Sequence, residues 1–124
     1  MKTTEAPDRA GFTLVEIMIV VAIIGLLAAI AIPNFVSARA RSQANACINN
    51  LSKIDGAAAQ FAIEQGKSTG DHISFPSDLT PYLKLNSASS LPPCPAGGNY
   101  SDDKVGGQPR CSLGNNVTPS HLLP

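Results

Sequence analysis

The stretch Gly11 to Phe35, G-F-T-L-V-E-I-M-I-V-V-A-I-I-G-L-L-A-A-I-A-I-P-N-F, limits what this chain can fold into more than any other. From Ile17 to Phe35 no residue is charged, and from Phe12 to Ile32 only Thr13 and Glu16 are strongly polar. A helix rising about 1.5 Å per residue carries such a run across the roughly 30 Å of a bilayer's hydrocarbon core. Roughly a dozen Ile, Leu, Val and Phe residues at about −0.4 kcal/mol each outweigh about +3 kcal/mol for one buried acid. The segment therefore predicts a transmembrane helix that tolerates Glu16.

Glu16 is the exception inside that run. An ionisable side chain in an apolar span is costly and tends to be partnered and functional, although near the interface it can snorkel to water. Phe12 and Glu16 are four residues apart and share a helix face. A cut between Gly11 and Phe12 would create an α-amino cation at the membrane end of the helix. That amine could reach Glu16 of its own chain or, with a longitudinal offset, Glu16 of another copy.

G-F-T-L-V-E followed by an apolar run holding Gly25 and Pro33 resembles the class III signal of type IV pilins and type II secretion pseudopilins. The resemblance implies that Gly11 is the last leader residue read by a prepilin peptidase. It implies that Phe12 becomes an N-methylated terminus, and that Glu16 neutralises a neighbour's terminal amine during assembly. Gly25 and Pro33 then match the places where the helix loosens in assembled filaments. Independently of any family, Pro33 lacks an amide proton and cannot bond the carbonyl of Ala29, while Gly25 adds conformational freedom. Glycine and proline are frequent in transmembrane helices, so Gly25 alone carries little, and no G-x-x-x-G favours helix pairing there.

A secretory signal is cut after its hydrophobic region, at small residues. Here the expected site lies before that region, so the helix stays on the mature protein. Lys2 and Arg9 on one side are balanced by Arg39 and Arg41 on the other, so orientation follows from the resemblance more than from the positive-inside rule. The resemblance implies a single pass through the inner (cytoplasmic) membrane with an extracytoplasmic head, followed by incorporation into a pilus or periplasmic pseudopilus. The implied partners are the lipid bilayer, other copies and related pilins, a prepilin peptidase, and an assembly platform in the inner membrane.

Beyond Pro33 the apolar residues Val36, Ala40, Ala44, Cys47 or Ile48, Leu51, Ile54, Ala58 and Phe61 or Ala62 recur at three- and four-residue spacing, the pattern of an amphipathic helix. A coiled-coil partner is the competing reading, disfavoured by the alanine content and weak charge pattern. Gly66 is a natural C-terminal stop. Ser77 is placed as the cap of a short helix over Asp78 to Leu83. G-G-N-Y-S and R-C-S-L, around the Gly-rich D-D-K-V-G-G-Q-P, predict two short strands. The final G-N-N-V-T-P-S-H-L-L-P either crosses back over the sheet or stays loose. The expected fold is α+β: a long N-terminal helix, transmembrane in its first half and amphipathic in its second, on a small head with a short antiparallel hairpin. The expected divisions are a leader 1–11, a membrane and assembly segment 12–35, an amphipathic segment 36–66 and a head 67–124.

Three cysteines allow three single pairings. Cys94 with Cys111 is the expected disulfide, because both flank the hairpin and a loop of about eighteen residues would gain roughly 3 kcal/mol from closure. A small head with few large apolar residues gains from such a staple, and extracytoplasmic surroundings preserve it. Cys47 is then a small hydrophobe on the helical stripe; a Cys47 disulfide to the head is the rival. Spacing supports no metal site, since there is no C-x-x-C and His72 and His121 are isolated in sequence. Asp102 and Asp103 could offer oxygens to calcium, but a solvated turn explains them equally well. No cofactor is expected.

No serine–histidine–acid or cysteine–histidine arrangement is recognisable, so the chain is not expected to be an enzyme. Lys plus Arg equals Asp plus Glu at nine each, which gives no global pull toward nucleic acid. The expected function is a structural subunit of a type IV pilus-like or type II secretion filament. The alternative is a competence-type pilin that binds DNA, which needs a basic, aromatic-bearing surface. Lys84, Lys104 and Arg110 are instead scattered through the head.

Overall fold

The computed structural model describes residues 1–4 and 10–124. Part of the expected leader, residues 5–9, thus lies outside the described residues. One helix, α1 (Leu14–Gln65), is followed by a 3-10 turn (Thr80–Tyr82) and an antiparallel pair of strands, β1 (Tyr100–Ser101) and β2 (Arg110–Cys111). This is the expected α+β arrangement. The chain divides into two compact units, Met1–Val36 and Ser37–Pro124.

In the first unit the helix begins at a capping box. Glu16 N–H donates to Thr13 Oγ1 (3.2 Å), and Thr13 N–H donates to Glu16 Oε2 (2.8 Å). T-L-V-E thus satisfies two of the amide donors that a helix start leaves unpaired. The helix then runs through Pro33. At that turn the Asn34 side-chain amide donates to the Ile30 carbonyl (3.1 Å), keeping polar groups paired beside the proline. Phe12, Leu14, Val15 and the large apolar residues on to Val36 are exposed, and a Cβ placed on Gly25 would meet nothing within 4 Å. By length and composition this helix is long and apolar enough to cross a membrane.

In the second unit the helix buries Ala44, Cys47, Leu51, Ile54, Ala57, Ala58 and Phe61. The expected stripe holds from Ala44 onward; Val36 is exposed and Ala40 half-buried. The helix ends as expected at Gly66, in the left-handed region (φ +62°), with Lys67 N–H donating to the Ala62 carbonyl (2.9 Å). That six-to-one bond is the Schellman closure, which glycine permits without steric cost.

Ile73, Leu79, Cys94, Val105 and Cys111 complete the core, with Phe75, Tyr82, Leu83, Leu91, Tyr100 and Leu113 packed around it. The hairpin forms where expected, pairing Tyr100 with Cys111 and Ser101 with Arg110. The connecting segment is tied to the hairpin turn by Ile73 N–H to Asp103 O (3.0 Å) and Val105 N–H to Asp71 O (2.9 Å). The expected helix over Asp78 to Leu83 is corrected to the 3-10 turn, and Ser77 does not cap it; its hydroxyl donates to Ser74 O instead. Pro81 explains the change, because it has no N–H to bond the Ser77 carbonyl and close the first α turn. The C-terminal tail crosses back, with His121 buried and its N–H donating to Gly114 O (2.8 Å).

Candidate functional site

Two places in the chain carry unexplained chemistry, one in each unit. The first is the start of α1. Glu16 lies in the first helical turn and spends one carboxylate oxygen on the Thr13 amide. A carboxylate has about four lone-pair sites, so it can still accept from an added amine. The capping role escaped the sequence reading, although T-x-x-E ahead of an apolar run is its ordinary signature.

The second place is the interior of the head. Cys47, Cys94, Cys111 and His121 are all buried, and their ligand atoms lie within 4.8 Å of one another. α1 supplies Cys47, β2 supplies Cys111, and the returning tail supplies His121. Cys94 opens the C-P-A-G-G turn, closed by Gly97 N–H to Cys94 O (2.9 Å) with Gly97 in the left-handed region (φ +89°). Cys94 Sγ lies 3.3 Å from His121 Nδ1.

The expected Cys94–Cys111 disulfide is not formed: all three cysteines are free thiols. His121, isolated in sequence, is not isolated in space. Spacing rules failed here because each of the four residues comes from a different element, so no two form a local ligand pair.

The thiols are not equivalent. Burial, with hydrogen bonding among the thiols of Cys47, Cys111 and Cys94, pushes the Cys47 thiol up to about 12. Burial acts on Cys94 in the same direction, but the backbone N–H groups of Ala96 and Gly98, together with the thiols of Cys47 and Cys111, outweigh it and hold that thiol below its ordinary value. Asn50 Nδ2 donates to Tyr100 Oη (3.0 Å) at the edge of the cluster.

The carboxylates of the hairpin turn differ from the solvated pair expected. Asp102 is only 4% exposed, while Asp103 is exposed. Among the described residues, neither Asp102 carboxylate oxygen has a well-formed hydrogen bond. Lys104 and Arg110 line one open cleft together with Asp103, Ser101, Gly107 and Gln108; no aromatic ring is among its lining residues.

Comparison with known proteins supports the reading of the N-terminal segment. Residues 7–32 match the prokaryotic N-terminal methylation motif. The chain is 51% identical over 61 residues to the type IV major pilin protein PilA of Myxococcus xanthus, covering 49% of this chain and 28% of that protein. It is 53% identical over 59 residues to a fimbrial protein of Pseudomonas aeruginosa, covering 48% and 38% respectively. Against the type IV major fimbrial protein FimA of Dichelobacter nodosus it is 46% identical over 63 residues, covering 51% and 40%. The chain thus spans well under half the length of these relatives. None of the three matched stretches is long enough to hold all of Cys47, Cys94, Cys111 and His121. No solved structure matches the chain significantly.

Proposed function

We infer that this chain, which carries the prokaryotic N-terminal methylation motif and is similar over about half its length to type IV major pilins, is a structural subunit of a type IV pilus-like filament. The observation that carries the reading is the exposed apolar face of the first unit, from Phe12 to Val36, headed by a single carboxylate. The head buries its own apolar residues. Those of the first unit need lipid, or copies of the same helix, to remove them from water.

In this reading the peptidase cuts after Gly11 and Phe12 is N-methylated. The helix first sits across the inner membrane with the head outside, and an assembly platform then passes it into the filament. Glu16 of an incoming subunit accepts the α-amine of a neighbour. Both charges are costly alone in apolar surroundings, so the pair drives registration of one subunit against the next. Gly25, with open space beside it, and Pro33, which deletes one helix hydrogen bond, let the helix loosen when packed among copies. The subunit performs no chemistry itself. A secretion pseudopilus would use the same N-terminal physics. DNA capture is less well supported, because the Lys104–Arg110 cleft includes an acid and lacks a stacking ring.

The capping box makes the usual apolar substitution of Glu16 ambiguous, since it would remove the cap and the charge together. Glu16→Gln separates them, because glutamine can still accept from the Thr13 amide. We expect this variant to be cut after Gly11 and methylated normally. Its incorporation into sheared filaments should fall about a hundredfold, the equivalent of leaving one charge unpaired at about 3 kcal/mol. Quantitative mass spectrometry of membranes and filaments reads both steps. Wild-type incorporation would reduce Glu16 to a helix cap.

A further inference from the structure

The buried thiol cluster of the head is arranged as a ligand set. The Cys94 sulfur and the His121 Nδ1 nitrogen are 3.3 Å apart, and all four ligand atoms fall within 4.8 Å of one another. A tetrahedral ion with metal–sulfur bonds of about 2.3 Å and a metal–nitrogen bond of about 2.0 Å has ligand–ligand edges of about 3.5 to 3.8 Å. The four atoms are therefore within small side-chain adjustments of that figure. A disulfide would draw two sulfurs to about 2.05 Å and leave the third thiol and the imidazole buried beside it. With three cysteines some thiol is always left over; a single ion uses every sulfur and the histidine.

We propose that Cys47, Cys94, Cys111 and His121 bind one structural zinc ion that ties together α1, the C-P-A-G-G turn, the hairpin and the C-terminal tail. Three thiolates and an imidazole suit a borderline-soft divalent cation, not calcium or magnesium, which take oxygen ligands. Four protein ligands, all buried, close the coordination sphere and leave no position for a reacting water. That is the pattern of a structural centre.

The surroundings fit the same assignment. With a neutral imidazole, zinc and three thiolates carry one net negative charge. The left-handed Gly97 closes the turn that carries Cys94, with its N–H on the Cys94 carbonyl. Gly98 is buried against the cluster, where a Cβ would come within 2.5 Å of Cys111 Sγ and 3.0 Å of Leu113 Cγ. The sulfurs thus sit in a space that no added methyl could share. Binding replaces up to three thiol protons by the ion and involves no electron transfer. The site uses residues of the second unit alone, Ser37–Pro124, so it stands or falls separately from filament assembly.

The test is made on the whole chain, purified in detergent without oxygen from cells grown with zinc. We expect one zinc per chain by elemental mass spectrometry, retained through dialysis, and an intact mass with three unoxidised cysteines. Cobalt(II) in place of zinc should give the visible d–d bands of a tetrahedral site and a thiolate-to-cobalt charge-transfer band. Cys47→Ser and Cys111→Ser should lose the stoichiometric ion. His121→Cys should keep it, with a stronger charge-transfer band from the fourth thiolate. A wild-type chain that holds no stoichiometric zinc and gives no tetrahedral cobalt spectrum overturns the proposal. A Cys94–Cys111 or Cys47 disulfide in the anaerobically isolated chain does so equally. If the serine variants fail to fold, the wild-type zinc content and cobalt spectrum decide the matter alone.

Discussion

The two ends of α1 are the same secondary structure put to opposite uses. In the membrane-type segment, Leu26 is 67% exposed and its apolar neighbours are also uncovered. In the head segment, Leu51 is completely buried, as are Cys47 and Ile54. Helical propensity distinguishes the two poorly; the placing of polar residues distinguishes them well. Up to Ile32 apolar residues occupy all faces, whereas from Ala44 the buried ones keep to one stripe, with Lys53, Asp55, Gln60 and the exposed Ile63 elsewhere. An all-round apolar helix needs a surrounding medium, and a striped one needs a single packed side. The first end is therefore complete only in company, while the second is complete within its own chain.

Substitution at matched leucines gives the sharpest break between the ends. Leu51→Ala should destabilise the head by about 3 kcal/mol, as large-to-small changes in a closed core do. Leu26→Ala should shift head unfolding by less than about 0.5 kcal/mol. Denaturant titration of the detergent-held chain, followed by tyrosine fluorescence, reads both. Equal losses at the two sites would mean that the exposed segment also supports the head.

Glycines sharpen the same contrast. Gly98→Ala would push a methyl into Cys111 Sγ, and should cost about 2 kcal/mol by overpacking. Gly25→Ala meets open space and should leave head unfolding unchanged. Near-wild-type stability of Gly98→Ala would show that the cluster can yield.

The smallest effect concerns Asp102, where head burial works against stability. Burial raises its carboxyl above the ordinary value, and the charges of Asp103 and Asp55 add to this; backbone N–H groups of Lys104 and Asp103 offset only part. For an acid with a raised folded value, the native state holds more protons than the unfolded state between the two values. Stability therefore falls as pH rises through that window, and the loss is complete above the folded value. Asp102→Asn should stabilise the head at neutral pH by about 1 kcal/mol, the scale of one poorly paired buried polar group. The difference should vanish as the pH drops to the ordinary carboxyl value of 3.8. Melting curves at neutral and acid pH test the sign, and a variant less stable at neutral pH would refute it.

Much of the fold was legible because it is written locally. Gly66 ended the helix as expected, and the Gly-rich D-D-K-V-G-G-Q-P turn joined the strands on either side of it. Both signals depend on conformations reached by a few adjacent residues. Ser77 is a good capping residue by type, but the α turn it would cap lacks the N–H that Pro81 cannot supply four positions on. A place in a turn does not make Asp102 exposed, because the segment carrying Ile73 pairs along that turn at Asp103 and Val105.

The sequence by itself determined that this chain has an apolar helical segment with an acid near its start, and that the helix continues into an amphipathic stripe. Periodicity and charge act over one or two turns, so they need no knowledge of the rest of the chain. Only the tertiary structure decided where the cysteines lie relative to one another. Packing of the helix, the turn, the hairpin and the tail brought Cys47, Cys94, Cys111 and His121 to one point. Their separations along the chain carry no trace of that meeting, because contacts closed over long loops are set by the core they enclose.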